Sequence, residues 1–237
     1  MENKKTVVVI SIGKKTPNSH ELCNRFLNTS SYPVILAYDS KSLFEINEPN
    51  IMICYDQLKN KYGSKIDNFN GRWLNNPAKL GPIDWFNSQD TYGYMWYFED
   101  DVYIRNATNF INKYSEISSD FIGAYSNNLP PWTEKNWRIT NKKGLSNLRN
   151  CKIFFLYSYR LSKKGALHII NNINKENWTN HHEIYLPYII EKYNLSYSQL
   201  LPIHRRYLRP YDGKGDFDRK ITQKRDCKIC HPIKHYA

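Results

Sequence analysis

The chain has 237 residues and a formal net charge of +12, with 41% hydrophobic and 24% charged residues. This length suits one large domain or two small ones, and the apolar content is sufficient for a substantial core. The positive net charge favours a polyanionic partner. Charge alone does not distinguish nucleic acid, an anionic membrane surface and a phosphorylated small molecule.

The compartment follows from the cysteines and the first residues. Five cysteines are too few and too scattered for a disulfide scaffold in a chain of this length. Lys4 and Lys5 precede an apolar run that is too short for a signal peptide, and no stretch approaches the roughly 20 apolar residues of a membrane span. We therefore expect a reduced, soluble, cytoplasmic protein without a transmembrane segment.

The first third of the chain predicts an α/β sheet that is largely parallel. Residues 6–12 form an uninterrupted β-branched apolar run, which is typical of a strand covered on both faces. A short helix is predicted over residues 19–27, with Ser19 as its N-cap. Residues 34–38 and 51–54 are the next apolar runs. Ligands bind beyond the carboxyl ends of the strands in such sheets.

The rest of the chain continues this alternation. Pro82 is predicted to open a short helix that ends at residue 88. Pro187 is predicted to lie in the first turn of an amphipathic helix. The further predicted elements are strands at 94–98, 121–125 and 151–159, a loop at 127–144, and helices at 163–171 and 183–193. No repeat or clear linker interrupts the chain, so we expect a single domain over residues 1–237.

The aromatic strand at 94–98 runs directly into Glu99, Asp100 and Asp101. Three adjacent carboxylates repel one another, and a divalent cation with a preference for oxygen ligands removes that cost. If the strand stays extended, Glu99 and Asp101 share a face and Asp100 points elsewhere. A solvated acidic turn is the alternative interpretation, which the apolar residues on both sides of the acids make less attractive.

This motif resembles the DxD-type motif of GT-A glycosyltransferases, with Glu99 in place of the more usual first Asp and Asp101 at the third position. The resemblance implies the Rossmann-like GT-A fold, a mixed and mostly parallel sheet flanked by helices. It implies a nucleotide-sugar-binding half at 1–105 and an acceptor-binding half at 106–237. Mn²⁺ or Mg²⁺ would hold the diphosphate of a UDP- or GDP-sugar. Small stand-alone domains of this kind occur in bacteria and large DNA viruses, and a viral protein would act in the host cytoplasm.

The resemblance also suggests residues for the donor. Ser11, Gly13 and Asp39, at predicted strand ends, would lie near the base and ribose. Lys79 is a candidate contact to the base or a phosphate of the donor. Asp100 is a further candidate donor-binding residue.

Later residues complete the predicted site. His231 resembles the late histidine that returns to the metal in many GT-A enzymes, with Lys234 on the diphosphate. Glu183 corresponds in position to the base of inverting enzymes, which deprotonates the acceptor hydroxyl. A glutamate in a helix first turn is also favoured by the macrodipole alone. Trp132 and Trp137 would stack on a sugar.

These residues predict a metal-dependent, inverting glycosyltransferase that acts on a glycan or glycoprotein acceptor, with no nucleic-acid partner. Two alternatives stay open. Clustered carboxylates, a late histidine and a basic charge also suit a metal-dependent nuclease or phosphoesterase. A non-catalytic nucleotide- or carbohydrate-binding module is the other. The run from Cys227 to His231 matches the c-type haem pattern, and we interpret this match as coincidental.

Overall fold

The computed structural model describes eight stretches of the chain, and all structural statements below concern them: residues 5–12, 17–39, 50–53, 55–62, 77–126, 153–175, 182–205 and 229–230. The strands are β1 (Lys5–Ile12), β2 (Val34–Asp39), β3 (Asn50–Ile53), β4 (Tyr92–Glu99), β5 (Tyr103–Ile104), β6 (Phe121–Ser126), β7 (Ile153–Ser162), β8 (Tyr197–Gln199) and β9 (Ile229–Cys230). The helices are α1 (Pro17–Thr29), α2 (Tyr55–Tyr62), α3 (Pro77–Ser88), α4 (Ala107–Asn112), α5 (Lys163–Lys175), α6 (His182–Lys192) and α7 (Pro202–Arg205).

The main sheet has seven strands in the order β3-β2-β1-β4-β7-β6-β8. The strands from β3 to β4 are mutually parallel, β7 is antiparallel to both of its neighbours, and β8 is parallel to β6. Six of these seven strands therefore run in one direction. We call the edge at which β1 to β4 end the carboxyl edge, and the opposite edge the amino edge. The prediction of a mixed, mostly parallel sheet is confirmed.

Helices cover both faces of this sheet. Val7 and Val9 of β1 pack with residues of α2, α3, α5 and α6, on what we call the α3 face. Val8 and Ile10 pack with residues of α1 and α4, on the α1 face. Because successive side chains of a strand alternate between faces, burial on both sides requires an unbroken apolar run such as β1. The sequence predicts two halves that meet at residue 105. The main sheet contains strands from both halves, because β4 pairs with β7.

Two prolines lie deeper in their helices than predicted. Pro82 is the sixth residue of α3 and Pro187 the sixth of α6, so Pro82 does not open a helix and Pro187 is not in a first turn. Each proline removes one backbone hydrogen bond. In α3, burial of Leu80 and Ile83 against the sheet compensates for that loss. Ser19 is likewise the third residue of α1 rather than its N-cap.

The helices α2 and α4 and the small β5–β9 sheet were not predicted. The first residue before α4, Asn106, caps this helix by accepting a hydrogen bond from the Asn109 backbone N–H at 2.8 Å. Phe110 and Ile111 of α4 are buried against the α1 face. None of the described helices has the length and apolar content that a membrane span requires.

Asp120, just before β6, joins three chain segments at the amino edge. Its carboxylate accepts hydrogen bonds from the Ser162 hydroxyl at 2.8 Å, the Ser196 backbone N–H at 3.0 Å and the Ser196 hydroxyl at 2.9 Å. Burial alone would raise the pKa of Asp120, but these hydrogen bonds and the charge of Lys164 outweigh it and hold that pKa below its usual value. Asp120 therefore links the end of β7, and the segment between α6 and β8, to the start of β6.

Candidate functional site

The acidic motif lies at the carboxyl edge, where β4 ends. The Val102 backbone N–H donates to the Glu99 carbonyl at 3.1 Å, so Asp100 and Asp101 occupy the middle of a tight turn. The expectation that Glu99 and Asp101 share the face of an extended strand is wrong, because the strand ends at Glu99. All three acids are partly exposed.

Two other predicted residues lie at the same edge on neighbouring strands. Ser11 of β1 pairs with Glu99 of β4 on one side and with Ala37 of β2 on the other. Asp39 ends β2 and pairs with Ile53 of β3. Adjacent strands lie about 4.8 Å apart, and Asp39 stands two residues beyond Ala37, so the backbones of Glu99, Ser11 and Asp39 fall within about 12 Å of one another. Gly13 lies outside the described residues.

Lys79 has a different environment from the one predicted. It is the third residue of α3 rather than a residue ahead of the helix, and only 8% of its side chain is exposed. Its ammonium contacts the Glu99 carboxylate, donates to the Leu156 carbonyl at 2.5 Å, and lies 4.6 Å from the centre of the Tyr97 ring. Lys79 is therefore a buried counter-ion of the acidic motif.

Two tyrosines that sequence reasoning missed lie beneath Glu99. Tyr97 and Tyr159 are buried, and their rings stack at 4.9 Å. Burial, and then the negative charge of Glu99, raise the pKa of both phenols, so both stay protonated. A hydrogen bond with Ser11 acts on Tyr97 in the opposite direction. The sequence could have predicted the position of Tyr97, because it stands two residues before Glu99 and therefore on the same face of β4.

The charge of Asp100 acts on both faces of the sheet, since it raises the pKa of Tyr97 on the α3 face and that of Cys23 on the α1 face. Burial, and then the charge of Asp100, raise the pKa of Cys23 in α1 to about 12. Cys23 is a free thiol and is 4% exposed. Glu99 thus pairs with Lys79 on the α3 face, while the field of Asp100 reaches a buried group on the α1 face.

The described residues include no group of three or more His, Cys, Asp or Glu side chains arranged to hold a metal ion. His231 and Lys234 lie outside the described residues, so the predicted set of Glu99, Asp101 and His231 stays a prediction. Carboxylate oxygens at this turn fit the chemistry of Mg²⁺ or Mn²⁺. Because Lys79 already places a cation beside Glu99, Asp101 is the better candidate ligand.

The small sheet brings residues 229–230 towards the acids. Tyr103 pairs with Cys230 and Ile104 with Ile229, and Ile229 is fully buried. Cys230 is therefore held opposite a residue that stands two positions after Asp101. Two-residue strands carry no periodicity, which is why the sequence did not predict this contact.

Glu183 is the second residue of α6, and its side chain is not described. The segment that follows α6 is bound at the amino edge, where the Ser196 carbonyl accepts from the Phe121 N–H at 3.0 Å. With eleven residues, α6 is about 16 Å long. Helix α5 starts at the amino edge, and α6 ends there. The first turn of α6, which contains Glu183, therefore lies on the side of the carboxyl edge. The predicted loop with Trp132 and Trp137 lies outside the described residues.

No family model matches the chain, and no curated protein matches it in sequence. Among solved structures, it is similar to mouse xyloside xylosyltransferase 1 in its apo form, with a TM-score of 0.52 and 7% sequence identity over 96% of this chain and 97% of that chain. At this identity the likeness concerns the fold alone, which is the GT-A fold. A second similar structure is 4-diphosphocytidyl-2C-methyl-D-erythritol synthase from Anaerococcus prevotii, with 6% identity over 84% of this chain and 87% of that chain. Its TM-score of 0.47 supports no conclusion.

Proposed function

We propose that this protein is a metal-dependent glycosyltransferase, which moves a sugar from a nucleotide-diphosphate donor to an acceptor hydroxyl. One observation carries the proposal: the turn at Glu99–Asp101 stands at the carboxyl edge of a GT-A sheet, beside the ends of β1 and β2. In open α/β sheets, ligands bind in the crevice beyond the carboxyl ends of the strands. This position supports the assignment of the acids to the phosphates of a bound nucleotide.

Asp101 and His231 are the proposed ligands of Mn²⁺ or Mg²⁺. Such an ion supplies positive charge that stabilises the leaving diphosphate. The pairing of Cys230 with Tyr103 supports this set, because His231 follows Cys230 directly in the sequence. Lys234 would contribute a second positive charge to the diphosphate.

Glu99 has a divided role in this proposal. The Lys79 ammonium neutralises it, which reduces the repulsion among three consecutive carboxylates and lets the turn form. Glu99 keeps its place in the proposed metal set beside Asp101 and His231. Lys79 would accordingly act through Glu99 rather than on the nucleotide itself.

The nucleoside part of the donor would occupy the ends of the neighbouring strands. Ser11, Gly13 and Asp39 are the proposed contacts to base and ribose, with Asp100 beside them. The parallel pairing of β2, β1 and β4 supports this assignment, because it places the ends of these strands side by side.

Glu183 is the proposed base, which would remove the proton from the acceptor hydroxyl as that oxygen attacks the sugar carbon. A single in-line attack inverts the configuration of that carbon. Substitution of Glu183→Gln should abolish turnover and leave donor binding intact, and product analysis should show inversion. Full turnover in the variant, or retention of configuration, would show that this assignment is wrong.

The first experiment is isothermal titration of the protein with UDP, GDP and their sugars, in Mn²⁺ and in EDTA. We expect one nucleotide to bind only with metal. The variant Asp101→Ala should lose this binding, and the matched control Asp56→Ala, which removes an exposed acid of α2, should keep it. If no nucleotide binds the folded protein, the glycosyltransferase proposal fails and a nuclease or phosphoesterase becomes the leading alternative.

A further inference from the structure

A group of polar side chains is buried on the α3 face, below Glu99. Tyr97 stands two residues before Glu99 in β4, and Tyr159 of β7 pairs with Tyr97 in the sheet. Lys79 of α3 lies over the Tyr97 ring, 4.6 Å from its centre. All three side chains are buried, whereas Glu99 is partly exposed. The group therefore lies between the core and the acidic turn.

Lys79 and Tyr97 both have partners within the protein. An ammonium group has three N–H bonds. Three groups attract those of Lys79: the Glu99 carboxylate, the Leu156 carbonyl and the face of the Tyr97 ring. The Tyr97 hydroxyl has a hydrogen bond with Ser11, near the end of β1. The polar groups of these two side chains are thus satisfied in the free protein.

The hydroxyl of Tyr159 is different. It is buried and has no hydrogen-bond partner among the described residues. Burial, and then the charge of Glu99, raise the pKa of this phenol, so it keeps its proton and can donate. A buried donor without an acceptor destabilises a folded protein, and phenylalanine would fill the same space without that loss. Packing alone therefore does not explain why residue 159 is a tyrosine.

Tyr159 is fixed by its packing, whereas Glu99 has room to move. The Tyr159 side chain is 0% exposed, and its ring stacks on Tyr97 of β4 at 4.9 Å and on Phe121 of β6 at 5.6 Å. Close packing against both neighbouring strands holds the ring in place. The Glu99 side chain is 32% exposed and stands at the end of its strand. The structure thus combines a fixed donor with a carboxylate that can turn towards it.

We propose that the Tyr159 hydroxyl donates a hydrogen bond to the Glu99 carboxylate when a metal–nucleotide complex is bound at the turn. A metal cation competes with Lys79 for Glu99, and the two cations repel each other. A neutral hydroxyl can hold the ionised Glu99 without adding to that repulsion. Tyr159 is then a positioning residue, which acts through Glu99 rather than on the nucleotide. This inference rests on the proposed transferase function.

Ser158 provides a matched control on the other face of the sheet. It precedes Tyr159 in β7, and its hydroxyl is also buried without a hydrogen-bond partner among the described residues. Ser158 pairs with Phe98, which packs on the α1 face. Residues directly opposite each other in a sheet share a face. The sheet therefore separates the Ser158 hydroxyl from Lys79 and the Glu99 carboxylate.

The test compares Tyr159→Phe with the wild-type protein in two measurements. In EDTA the variant should melt about 3 °C higher, because an unsatisfied buried donor is removed. Isothermal titration with UDP and GDP in Mn²⁺ identifies the nucleotide that the wild-type protein binds. The variant should bind it about tenfold more weakly, the lower end for a hydrogen bond to a charged group. A role in packing alone would not change stability and affinity in opposite directions.

Two control variants also remove a buried hydroxyl. Ser158→Ala should leave the affinity for nucleotide unchanged. Tyr62→Phe removes the hydroxyl that donates to Asp84 at 2.5 Å, so it should lower the melting temperature without changing the affinity. If Ser158→Ala weakens binding as much as Tyr159→Phe, the effect is a general disturbance of β7, and the proposal is overturned.

Two other results would also overturn the proposal. A lower melting temperature of Tyr159→Phe in EDTA would show that the hydroxyl already has a partner in the free protein. Equal affinity of Tyr159→Phe and the wild-type protein for nucleotide would show that the hydroxyl does not serve the bound state, while the transferase proposal would stand. If the folded wild-type protein binds neither UDP nor GDP in Mn²⁺, the transferase proposal fails, and the role of Tyr159 fails with it.

Discussion

Carboxylates at the two edges of the sheet have different partners. At the amino edge, Asp120 accepts three hydrogen bonds from Ser162 and Ser196, which join separate chain segments. At the carboxyl edge, Glu99 contacts the buried Lys79, and Asp100 and Asp101 follow it in a turn.

The difference separates a carboxylate that stabilises the fold from carboxylates that we propose bind a ligand. Neutral donors stabilise the ionised form of Asp120 without bringing another negative charge near it. Three consecutive acids repel one another, and a bound cation relieves that repulsion. The contrast predicts that neutralising Asp120 at the amino edge lowers the free energy of unfolding, whereas neutralising Asp101 at the carboxyl edge raises it.

The largest effect is expected for Lys79→Met, which leaves Glu99 and the Leu156 carbonyl without their buried cation. Breaking such a pair should lower the free energy of unfolding by about 3 kcal/mol, the lower end for buried pairs because Glu99 is partly exposed. The double variant Lys79→Met/Glu99→Gln should recover about half of the loss. Urea denaturation measures both.

The control for this prediction is Lys164→Met at the amino edge. Lys164 is 3.7 Å from Asp120, and 59% of its side chain is exposed. Its removal should change stability by no more than about 0.5 kcal/mol. Equal losses for the two lysines would show that Lys79 is not the buried counter-ion of the motif.

The next effect is expected for Asp120→Asn. Since the folded-state pKa of Asp120 is lowered, its contribution is present above the unfolded value of about 3.9 and is lost as pH falls through the folded pKa. The substitution should cost about 2 kcal/mol at neutral pH, because an amide presents an NH₂ group to the serine donors. The difference from wild type should shrink below about pH 4. The exposed Asp56→Asn serves as control, and a constant difference at all pH values would contradict the prediction.

A smaller effect is expected at Asn194, two residues before Ser196. Its φ of 49° is left-handed, and the Leu195 N–H donates to the Ile190 carbonyl at 2.8 Å, which ends α6 in a Schellman motif. Asn194→Ala should cost about 1 kcal/mol in thermal unfolding, since alanine disfavours this conformation. Asn194→Gly should cost nothing or slightly stabilise the protein, and an equal loss in both variants would point to the side chain instead.

The smallest effect has the opposite sign. Asp101→Asn removes one of three consecutive charges and should raise the free energy of unfolding by about 0.5 kcal/mol in EDTA. The same variant should lose metal-dependent nucleotide binding, so stability and binding should change in opposite directions. A loss of stability as large as that of Asp120→Asn would remove the distinction between the two edges.

Much of the fold could be predicted from patterns along the chain. The apolar runs of β1 and β2 and the aromatic run of β4 predicted their strands, because a strand buried on both faces needs an apolar residue at every position. Helices α2 and α4 were missed, since α2 is a short, mostly polar helix of eight residues and α4 has only six residues. Pro82 and Pro187 were placed too early, because tertiary burial outweighs the cost of one lost hydrogen bond in each helix.

The candidate site divides in the same way. The sequence by itself determined that three carboxylates follow an aromatic strand, and that Ser11 and Asp39 stand near the ends of two other strands, because strand ends follow from local hydrophobicity. Only the sheet order showed that these strands are neighbours. Only the tertiary structure decided that Lys79 contacts Glu99, that Cys230 lies opposite Tyr103, and that Asp120 joins three segments. Each of these contacts joins residues far apart in the chain. Such contacts depend on how the elements pack, which no local pattern encodes.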